Sequence, residues 1–426
     1  MAELLSLAEH LINVKGAKVV NYDLSELKSK NIIILDIVPI ETHTCPFCGR
    51  VCPGYDYASR EPRLWRANDW NGTQVMLRYR PRRITCPEHK VITESVPWAY
   101  HKSRFTHDFE RLILWLALFT SRLVVSRLMR IDWHTIDACI ERFLLREIDT
   151  TDTSRFDGLE HIAIDETSYQ KRHKYITCVL DLVTNSIVWV GKGHGLSVAE
   201  QFFEQLTPEQ RRNIKTVSGD GAQWIDKCVD KYVPQAKRCA DPFHVVLWLS
   251  AVLDRVRLRA SRKLRNDGYI AEAKAVKGSQ IALGMEPSAL SEKQKEKVAL
   301  IAEKSPELYQ AYQHKEELRH ILSMKEDPDA AENALNDWIE RMKHSEIEEF
   351  QDIAEKIARH RQNICNAIRY GRNSARLEAI NNCIKLIIRR GYGFRNTKNL
   401  ANHVRFCHSG IPIELIHHSH YEMMAA

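Results

Sequence analysis

The chain contains 426 residues, of which 44% are hydrophobic and 27% charged, and its formal net charge is +7. This size and composition allow a large buried core and more than one domain. No apolar run reaches the roughly 18 residues of a membrane-spanning helix, which excludes an integral membrane protein of that type. The N-terminus lacks the basic start and cleavage site of a secretory signal, so we expect a cytoplasmic protein.

The first hundred residues are predicted to form an N-terminal segment, 1–40, and a cysteine-rich module, 41–100. The segment contains a short helical stretch and the apolar run Ile32–Val38, which is typical of a strand. In the module, Gln74–Arg80 is predicted to be a strand because it follows the turn dipeptide Asn71-Gly72. Most of the eleven cysteines occur singly in apolar runs, which favours buried, reduced thiols and no disulfide framework.

Two short ligand pairs stand out in this module. They are Cys45-Pro-Phe-Cys48 and Cys86-Pro-Glu-His89, separated by residues 49–85. Thiolate and imidazole groups in two such pairs suit a tetrahedral Zn²⁺ ion, and four protein ligands leave no open position, so the zinc would be structural. Cys52 is an alternative ligand, and reduced structural cysteines near a turn are the simpler interpretation of the cluster.

Basic side chains occur between the two pairs and beyond them. A positively charged strip of this kind can bind the DNA backbone, which fixes position rather than sequence. The candidates are Arg78, Arg80, Arg82 and Arg83, joined by Lys102 and Arg104. A second basic run spans Arg255–Arg265, although such runs are often ordinary solvated surfaces.

Residues 101–150 are predicted to form three helices with tight turns, which indicates a helix-turn-helix DNA-binding domain. The third predicted helix, Thr135–Leu145, follows the helical period behind an N-cap at Asp132 or Thr135. We expect this helix to enter a major groove, with His134 and Arg142 among the DNA-contacting residues.

From about residue 160 the predicted elements become mixed. Three strands joined by short links indicate an antiparallel meander, and two later strands alternate with helices, which indicates parallel crossovers. This combination predicts an α/β fold with an RNase H-like mixed five-stranded core. The predicted divisions are a first part of the core, a helical insertion and a completing part with a C-terminal tail: 151–253, 254–370 and 371–426. The acidic stretch Glu326–Glu355 suggests that the insertion is a scaffold or a dimer contact rather than a uniformly DNA-facing surface.

Three acidic residues are placed where a nucleic-acid-cutting enzyme would hold metal ions. Asp165 and Asp220 each end an apolar, strand-like run, and Glu378 lies in a predicted helix. Two Mg²⁺ or Mn²⁺ ions about 3.5–4 Å apart can activate an oxygen nucleophile and stabilise a leaving oxygen. Glu166 follows Asp165 and would therefore point to the opposite face of its strand.

The helix that contains Glu378 has a polar face and an apolar face. Asn381, Asn382, Lys385 and Arg389 share the polar face with Glu378, so cations there could meet a phosphate backbone. An ordinary amphipathic helix with a solvated polar face is the simpler interpretation.

A second acid, Asp241, also follows a predicted strand, with His244 three positions later. We favour Asp220 as the metal ligand because its flanking glycines, Gly219 and Gly221, would permit a ligand to approach closely. Asp241 and His244 would then support the metal ligands or contact DNA. A lone histidine at a helix start is more often a capping or packed residue.

Several segments together resemble the ISL-three family of bacterial insertion-sequence transposases, in the same order as in the family, from about Cys45 to about Asn402. The matching blocks are Ile164–Thr177, Ser218–Gly221, Asp241–Val246, Arg376–Asn381 and Gly391–Asn396. The resemblance implies a DDE transposase with an RNase H-like core, in which Asp165, Asp220 and Glu378 match the three acids. It also implies an N-terminal zinc finger, whose usual fourth ligand is cysteine, so His89 departs from the pattern.

The resemblance further implies double-stranded DNA as the partner, namely terminal inverted repeats and a target, handled by a dimer or larger assembly at the bacterial nucleoid. Two other functions are compatible with the residues. One is a transposase-derived zinc-finger regulator that binds DNA without cutting it. The other is a metal-dependent nuclease that cuts without strand transfer.

Overall fold

The computed structural model describes residues 2–149, 153–170, 174–371 and 375–414, without the side chains of 2, 153, 154 and 375–378. The described residues form two compact units, the first from 2–141 with 411–414 and the second from Arg142–Gly410. Within these ranges, no helix is both long enough and apolar enough to cross a membrane. The mixed α/β class that the sequence predicts is confirmed.

The first unit contains seven strands and the helices of the predicted DNA-binding domain. In chain order its elements are α1 (Ala2–Ile12), β1 (Ala17–Asp23), α2 (Leu27–Lys30), β2 (Ile32–Pro39), β3 (Gly54–Tyr57), β4 (Arg63–Trp70), β5 (Thr73–Tyr79), β6 (Arg82–Cys86), β7 (Lys90–Thr93), α3 (His107–Phe119), α4 (Arg122–Met129) and α5 (Trp133–Glu147).

Two sheets organise the strands of the first unit. One has the order β1-β2-β5-β4, and the smaller one has the order β3-β6-β7. The parallel pairing of β2 with β5 crosses the boundary predicted between residues 40 and 41, so the N-terminal segment and part of the cysteine-rich module share one sheet. Its core includes Trp65 and Trp98, whose rings meet edge-on at 5.6 Å between centroids.

Helices α3, α4 and α5 match the three helices predicted for the helix-turn-helix domain. Each begins behind a side chain that accepts a backbone N–H, which satisfies a donor left free at a helix start. Thr106 and Ser121 accept from the residues three positions later, both at 3.3 Å. Asp132 accepts from His134 at 2.8 Å, so Asp132 rather than Thr135 caps α5.

The second unit contains a five-stranded sheet and thirteen α-helices within the described ranges, besides two short 3-10 turns, Thr153–Phe156 and Pro287–Ala289. In chain order the elements are β8 (His161–Gln170), β9 (Lys174–Asp181), β10 (Ser186–Lys192), α6 (Leu196–Gln205), α7 (Pro208–Asn213), β11 (Thr216–Gly219), α8 (Gln223–Tyr232), β12 (Lys237–Ala240), α9 (Pro242–Asn266), α10 (Ile270–Lys277), α11 (Gln280–Gly284), α12 (Glu292–Lys304), α13 (Pro306–Ser323), α14 (Pro328–Lys343), α15 (Glu348–Arg359), α16 (Arg361–Tyr370), α17 (Ala375–Arg390) and α18 (Thr397–Cys407).

The sheet of the second unit has the order β10-β9-β8-β11-β12. Strands β8, β9 and β10 are antiparallel, and β11 is parallel to both β8 and β12. Both faces are covered by helices. Ile162 and Ile164 of β8 pack in a core with α6 and α8, whereas Ala163 between them packs in a core with α17 and α18.

The helical insertion has a core of its own, in which α9 packs with later helices through buried residues that include Leu249, Trp338 and Phe350. Prolines occupy the first position of α13 and α14, where their missing N–H costs nothing. Helix α9 extends to Asn266, across the division predicted between residues 253 and 254, because its basic second half continues the buried helical face.

Candidate active site and zinc-binding cluster

Three acids lie side by side across neighbouring strands of the second unit. In the parallel register Ala163 is paired with Ser218, and Ser218 with Cys239. Asp165, Asp220 and Asp241 each lie two positions after one of these residues. Asp165 lies within β8, whereas Asp220 and Asp241 directly follow β11 and β12. Because adjacent strands are about 4.8 Å apart, the register brings these three positions to one level at the same end of the sheet.

Asp165 is held between its own strand and α17. Its Oδ2 accepts a hydrogen bond from the Asn381 amide, and its Oδ1 accepts from the Glu166 N–H at 2.8 Å. The Thr167 hydroxyl donates to Asn381 Oδ1 at 2.6 Å. Asn381 therefore bridges two residues of β8, and Asp165 is fixed before any ligand binds.

Burial raises the pKa of Asp165, and the nearby Asp220 charge acts in the same direction. The hydrogen bonds from Asn381 and Glu166 and the proximity of His244 oppose this shift. A partly buried carboxylate beside a second acid is stabilised by a cation, and hard carboxylate oxygens are suitable ligands for Mg²⁺. The donor set therefore fits a divalent metal site.

Glu166 lies on the other face of the sheet, as the alternation of strand side chains predicts. Its Oε1 accepts from the N–H of Gly195 at 2.9 Å, next to the start of α6. Burial raises its pKa, and Asp220 and Asp165 contribute to the increase.

The predicted pair Asp241 and His244 lies at the start of α9. Asp241 is 5% exposed and caps this helix by accepting from the Phe243 N–H at 2.9 Å. Its own N–H donates to Gly219 O at 2.9 Å, which ties the end of β12 to the end of β11. His244 Nε2 is 3.8 Å from Asp241 Oδ2, so the two side chains are neighbours.

Arg238 is a site residue that the sequence analysis missed. Its side chain is buried, and its guanidinium donates to carbonyls at the ends of β11 and β12, including Gly219 O at 3.4 Å and the Asp220 carbonyl. Its Nε donates to Asp226 Oδ1 at 3.0 Å. One buried cation thus holds the two strand ends from which Asp220 and Asp241 project.

The glycines that flank Asp220 lie against other parts of the protein. A Cβ at Gly219 would lie 2.8 Å from Ile225 Cδ1, and one at Gly221 would lie 2.6 Å from Trp248 Cζ2. Both glycines therefore permit close packing within the protein, and their predicted role in admitting a ligand stays a prediction. Asp220 itself accepts from the Ala222 N–H at 3.0 Å.

Helix α17 contains the third predicted acid. The Glu378 side chain lies outside the described residues, whereas Lys385 and Arg389 are exposed on the same helix. Ile384 is fully buried in the core beneath the helix, which agrees with the predicted apolar face. Asn381 shares the predicted polar face, but its contact with Asp165 was not predicted.

The four predicted zinc ligands come together in the first unit. The ligand atoms of Cys45, Cys48, Cys86 and His89 all lie within 4.8 Å of one another. Cys48 and Cys86 sulfurs are 3.7 Å apart, and the sulfurs of Cys45 and Cys86 are each 3.6 Å from His89 Nδ1. Ligands of one tetrahedral zinc ion would be separated by about 3.5–3.8 Å, so the cluster fits structural zinc.

Cys52, the alternative ligand, lies outside this set of four. It packs with Cys45 and Cys86 in the small core of the module, and its thiol donates to Arg50 O at 3.4 Å. A hydrogen bond from the His89 backbone lowers the pKa of Cys86 to about 6, which favours the thiolate that a metal requires.

The predicted basic strip contains two kinds of arginine. Arg78 is paired with Asp36 at 2.6 Å and with Asp23 at 3.2 Å, and Arg83 is paired with Asp56, so local acids offset both charges. Arg80 and Arg82 stack on the Tyr57 ring at 4.0 and 4.7 Å. These two arginines form no ion pair within the described residues.

The two candidates on α5 differ in exposure. His134 is exposed at the start of the helix, where its ring lies 3.6 Å from that of Trp133. Arg142 is half-buried and already interacts with other residues.

Three family models match successive parts of the chain. Residues 162–404 match the ISL3 DDE model described as a transposase. Residues 94–144 match the helix-turn-helix domain of transposase family ISL3, and residues 41–89 match the zinc-finger of transposases IS204, IS1001, IS1096 and IS1165. The first of these matches alone covers more than half of the chain.

Curated relatives agree with these matches. The chain is 36% identical over 375 residues to the transposase for insertion sequence element IS1557 from two strains of Mycobacterium tuberculosis, an alignment that covers 84% of this chain and 83% of the relative. It is 28% identical over 339 residues to the transposase for IS1001 from Bordetella parapertussis, covering 79% and 82%. The chain belongs to the ISL3 family of insertion-sequence transposases, whose DDE domain is that of a DNA-cleaving and strand-transferring enzyme.

Proposed function

We propose that Asp165, Asp220 and Glu378 form the catalytic site of this transposase and that they hold two Mg²⁺ or Mn²⁺ ions. The observation that carries the proposal is the parallel register of β8 with β11, which brings Asp165 and Asp220, the residue directly after β11, to one level, with Asn381 joining Asp165 to α17. Glu378 precedes Asn381 by three positions, which is one helical turn on the same face.

The surrounding sheet would be an RNase H-like core. The support is its mixed topology, a meander of β8, β9 and β10 followed by the parallel strands β11 and β12. The functional divisions would follow the sequence prediction, with the core interrupted by the insertion 254–370 and completed by 371–426.

In the proposed reaction the protein mainly positions groups. Bound divalent cations would supply nucleophile activation and stabilisation of the leaving oxygen. Asn381 keeps the Asp165 carboxylate oriented, and Arg238 keeps the ends of β11 and β12 in register. Asp241 and His244 would support this arrangement or contact the DNA strand. Cleavage would expose a 3′-OH, and this hydroxyl would then attack target DNA.

Recognition of the element ends would belong to the first unit. A structural zinc ion held by Cys45, Cys48, Cys86 and His89 would brace the module, which the ligand separations support. Helix α5 would enter a major groove with His134 and Arg142 nearby. On the predicted basic strip, Arg80 and Arg82 are better placed for phosphate contacts than the acid-paired Arg78 and Arg83.

The proposed substrates are double-stranded terminal inverted repeats and a target duplex, bound by a dimer or larger assembly at the nucleoid. The exposed Lys385 and Arg389 would meet the phosphate backbone beside the acids. Because phosphate contacts release counterions, DNA affinity should fall steeply as salt increases.

The experiment uses duplexes that carry the terminal repeats of the element encoding this chain. The wild type should cleave them with Mg²⁺ and join the freed ends to a plasmid, whereas Asp165→Asn should bind the DNA and leave it intact. Binding without cleavage by the wild type would instead indicate a regulator. Cleavage without joining would indicate a nuclease and would refute strand transfer.

A further inference from the structure

The helical insertion brings a cation and two rings to the edge of the acidic site. Lys356 of α15 has its Nζ 3.9 Å from the centroid of the Trp248 ring on α9. His360, the residue between α15 and α16, has its ring 5.2 Å from that of Trp248. A Cβ at Gly221 would lie 2.6 Å from the Trp248 ring and 3.5 Å from His360, so the segment directly after Asp220 packs on this group.

The Lys356 ammonium has no anionic partner in the described parts of the chain. No ion pair or hydrogen bond to its Nζ occurs among those residues, although the side chain is half-buried. Burial lowers its pKa, and Arg359 acts the same way, while Asp220 raises it, which places this cation within reach of the acid's field. The quadrupole of an aromatic ring attracts an ammonium placed over its face, which fixes the position of the ammonium.

The insertion is also anchored close to the acids, which limits how far Lys356 can move away. Asn366 of α16 donates to the Arg238 carbonyl in β12 at 3.0 Å, and Asn363 donates to Asp226 at 3.4 Å. Arg238 in turn holds the carbonyl of Asp220. The cation and the acids are therefore tied to the same strand ends.

We infer that Lys356 binds a non-bridging phosphate oxygen of the DNA strand next to the scissile bond, and that Trp248 is its positioning residue. The chemistry fits because a fixed, otherwise unpaired ammonium can donate a charge-assisted hydrogen bond to a phosphate oxygen, and such a preplaced donor stabilises negative charge on the DNA strand. The insertion thus contributes directly to the reaction site instead of serving only as a scaffold or dimer contact. This inference rests on the proposed catalytic function.

The test compares single-turnover cleavage of terminal-repeat DNA by the wild type, Lys356→Gln, Lys356→Arg and a control, Lys293→Gln. Lys293 is an exposed lysine of the same insertion, on α12, so its substitution removes the same charge elsewhere. We expect Lys356→Gln to slow cleavage roughly 10- to 100-fold, less than the roughly 100- to 1,000-fold loss of a donor to the reacting oxygen, because this lysine contacts a neighbouring phosphate. Lys356→Arg should retain more activity, and the control should match the wild type.

Neutral methylphosphonate linkages, introduced singly around the cleavage position, distinguish contact with DNA from a structural role. At one DNA position, the methylphosphonate should slow cleavage by the wild type. It should not slow Lys356→Gln further, because the cation that contacts this phosphate is already missing from the variant. Trp248→Leu should reproduce the loss, and Trp248→Phe, which keeps a ring, should reproduce less of it. Thermal melting in parallel verifies that the variants are folded.

Two results would overturn the inference. One is cleavage by Lys356→Gln at the rate of the control. The other is an unchanged methylphosphonate pattern in a slowed Lys356→Gln, which would mean that the lysine acts on Asp220 or on packing. These outcomes are separate from failure of the proposed function, in which the wild type itself would not cleave or Asp165→Asn would cleave normally.

Discussion

The contact between Asn381 and Asp165 allows a sharp test of how α17 is docked. In Asn381→Asp a carboxylate replaces the amide that donates to Asp165 Oδ2, while the oxygen that accepts from Thr167 is retained. The variant therefore loses one hydrogen bond to a charged acceptor and gains a like charge beside Asp165. The matched control is Asn382→Asp, which adds the same charge at the next, exposed position of the helix.

The expected cost follows from these two changes. Loss of a hydrogen bond to a charged group costs about 1.5–3 kcal/mol. Two unit charges about 4 Å apart repel by about 4 kcal/mol at an effective dielectric constant near 20, and part of this is relieved when the side chains turn away or one of them is protonated. We therefore expect Asn381→Asp to lower the free energy of unfolding at pH 7 by about 3–5 kcal/mol.

In a unit of about 270 residues, Arg142–Gly410, this corresponds to a decrease of about 5–9 °C in the melting temperature. The pH dependence has a defined sign. Burial already raises the pKa of Asp165, and a second carboxylate would raise it further. When the pKa of a carboxyl group is raised in the folded state, the free energy of unfolding falls as the pH rises through that pKa. The difference in this free energy between the wild type and Asn381→Asp should therefore become smaller on mild acidification. Mg²⁺ should also reduce it, by neutralising the pair.

Calorimetry of the metal-free protein, with and without added Mg²⁺ and between pH 5 and 8, measures these shifts. Asn382→Asp should remain within about 0.5 kcal/mol of the wild type, as surface substitutions usually do. If Asn381→Asp is no less stable than Asn382→Asp, the contact of Asn381 with Asp165 does not hold α17 in place. The same conclusion follows if the loss of unfolding free energy in Asn381→Asp is equal at every pH.

Two further predictions concern the other clusters. Cys48→Ser should lower the zinc content and the DNA affinity while leaving the melting temperature of the second unit unchanged. The control is Cys383→Ser, which changes an exposed cysteine outside the cluster. Equal zinc content in the two variants, measured by atomic absorption, would contradict the zinc assignment. Arg238→Met should lower the free energy of unfolding by about 3–5 kcal/mol because it removes the buried cation from beside Asp226 and takes a donor from several carbonyls, and cleavage should fall more than DNA binding does. A loss below about 1 kcal/mol in urea unfolding would mean that the strand ends do not depend on this guanidinium.

Short sequence patterns were sufficient to predict the strands and the helix that contain or precede the acids. Asp165 and Asp220 were predicted to end apolar runs, and β8 continues beyond Asp165 to Gln170, but the alternation within β8 correctly separated Asp165 from Glu166. The third helix of the DNA-binding domain was recognisable from its period behind a cap at Asp132 or Thr135, of which the structure has Asp132. These features depend on neighbours within a few positions, which a sequence displays directly.

The missed features depend on pairing between distant segments. Strand β4, Arg63–Trp70, mixes charged and aromatic residues, and it becomes a strand because it pairs with β5 in a sheet that also includes β2. The contact of Asn381 with Asp165 and the approach of Lys356 to Trp248 likewise join residues that are more than a hundred positions apart. No local period encodes such contacts, because they depend on how helices with many possible partners finally pack.

The insertion leaves and rejoins the core at nearly the same place, and this explains how a long helical segment can interrupt a catalytic domain. Helix α9 begins at Pro242 behind its cap Asp241, directly after β12, and α16 returns to β12 through the hydrogen bond from Asn366 to the Arg238 carbonyl. Among the described residues, further contacts near these two ends join Asn363 to Asp226 and place Trp248 and His360 against Gly221, while the helices of the insertion share a large core that also includes Ala240 of β12. The buried guanidinium of Arg238 donates to the Asp220 carbonyl, and the Arg238 carbonyl accepts from Asn366 of α16. The position of the strand end beside Asp220 therefore depends on how the end of the insertion packs.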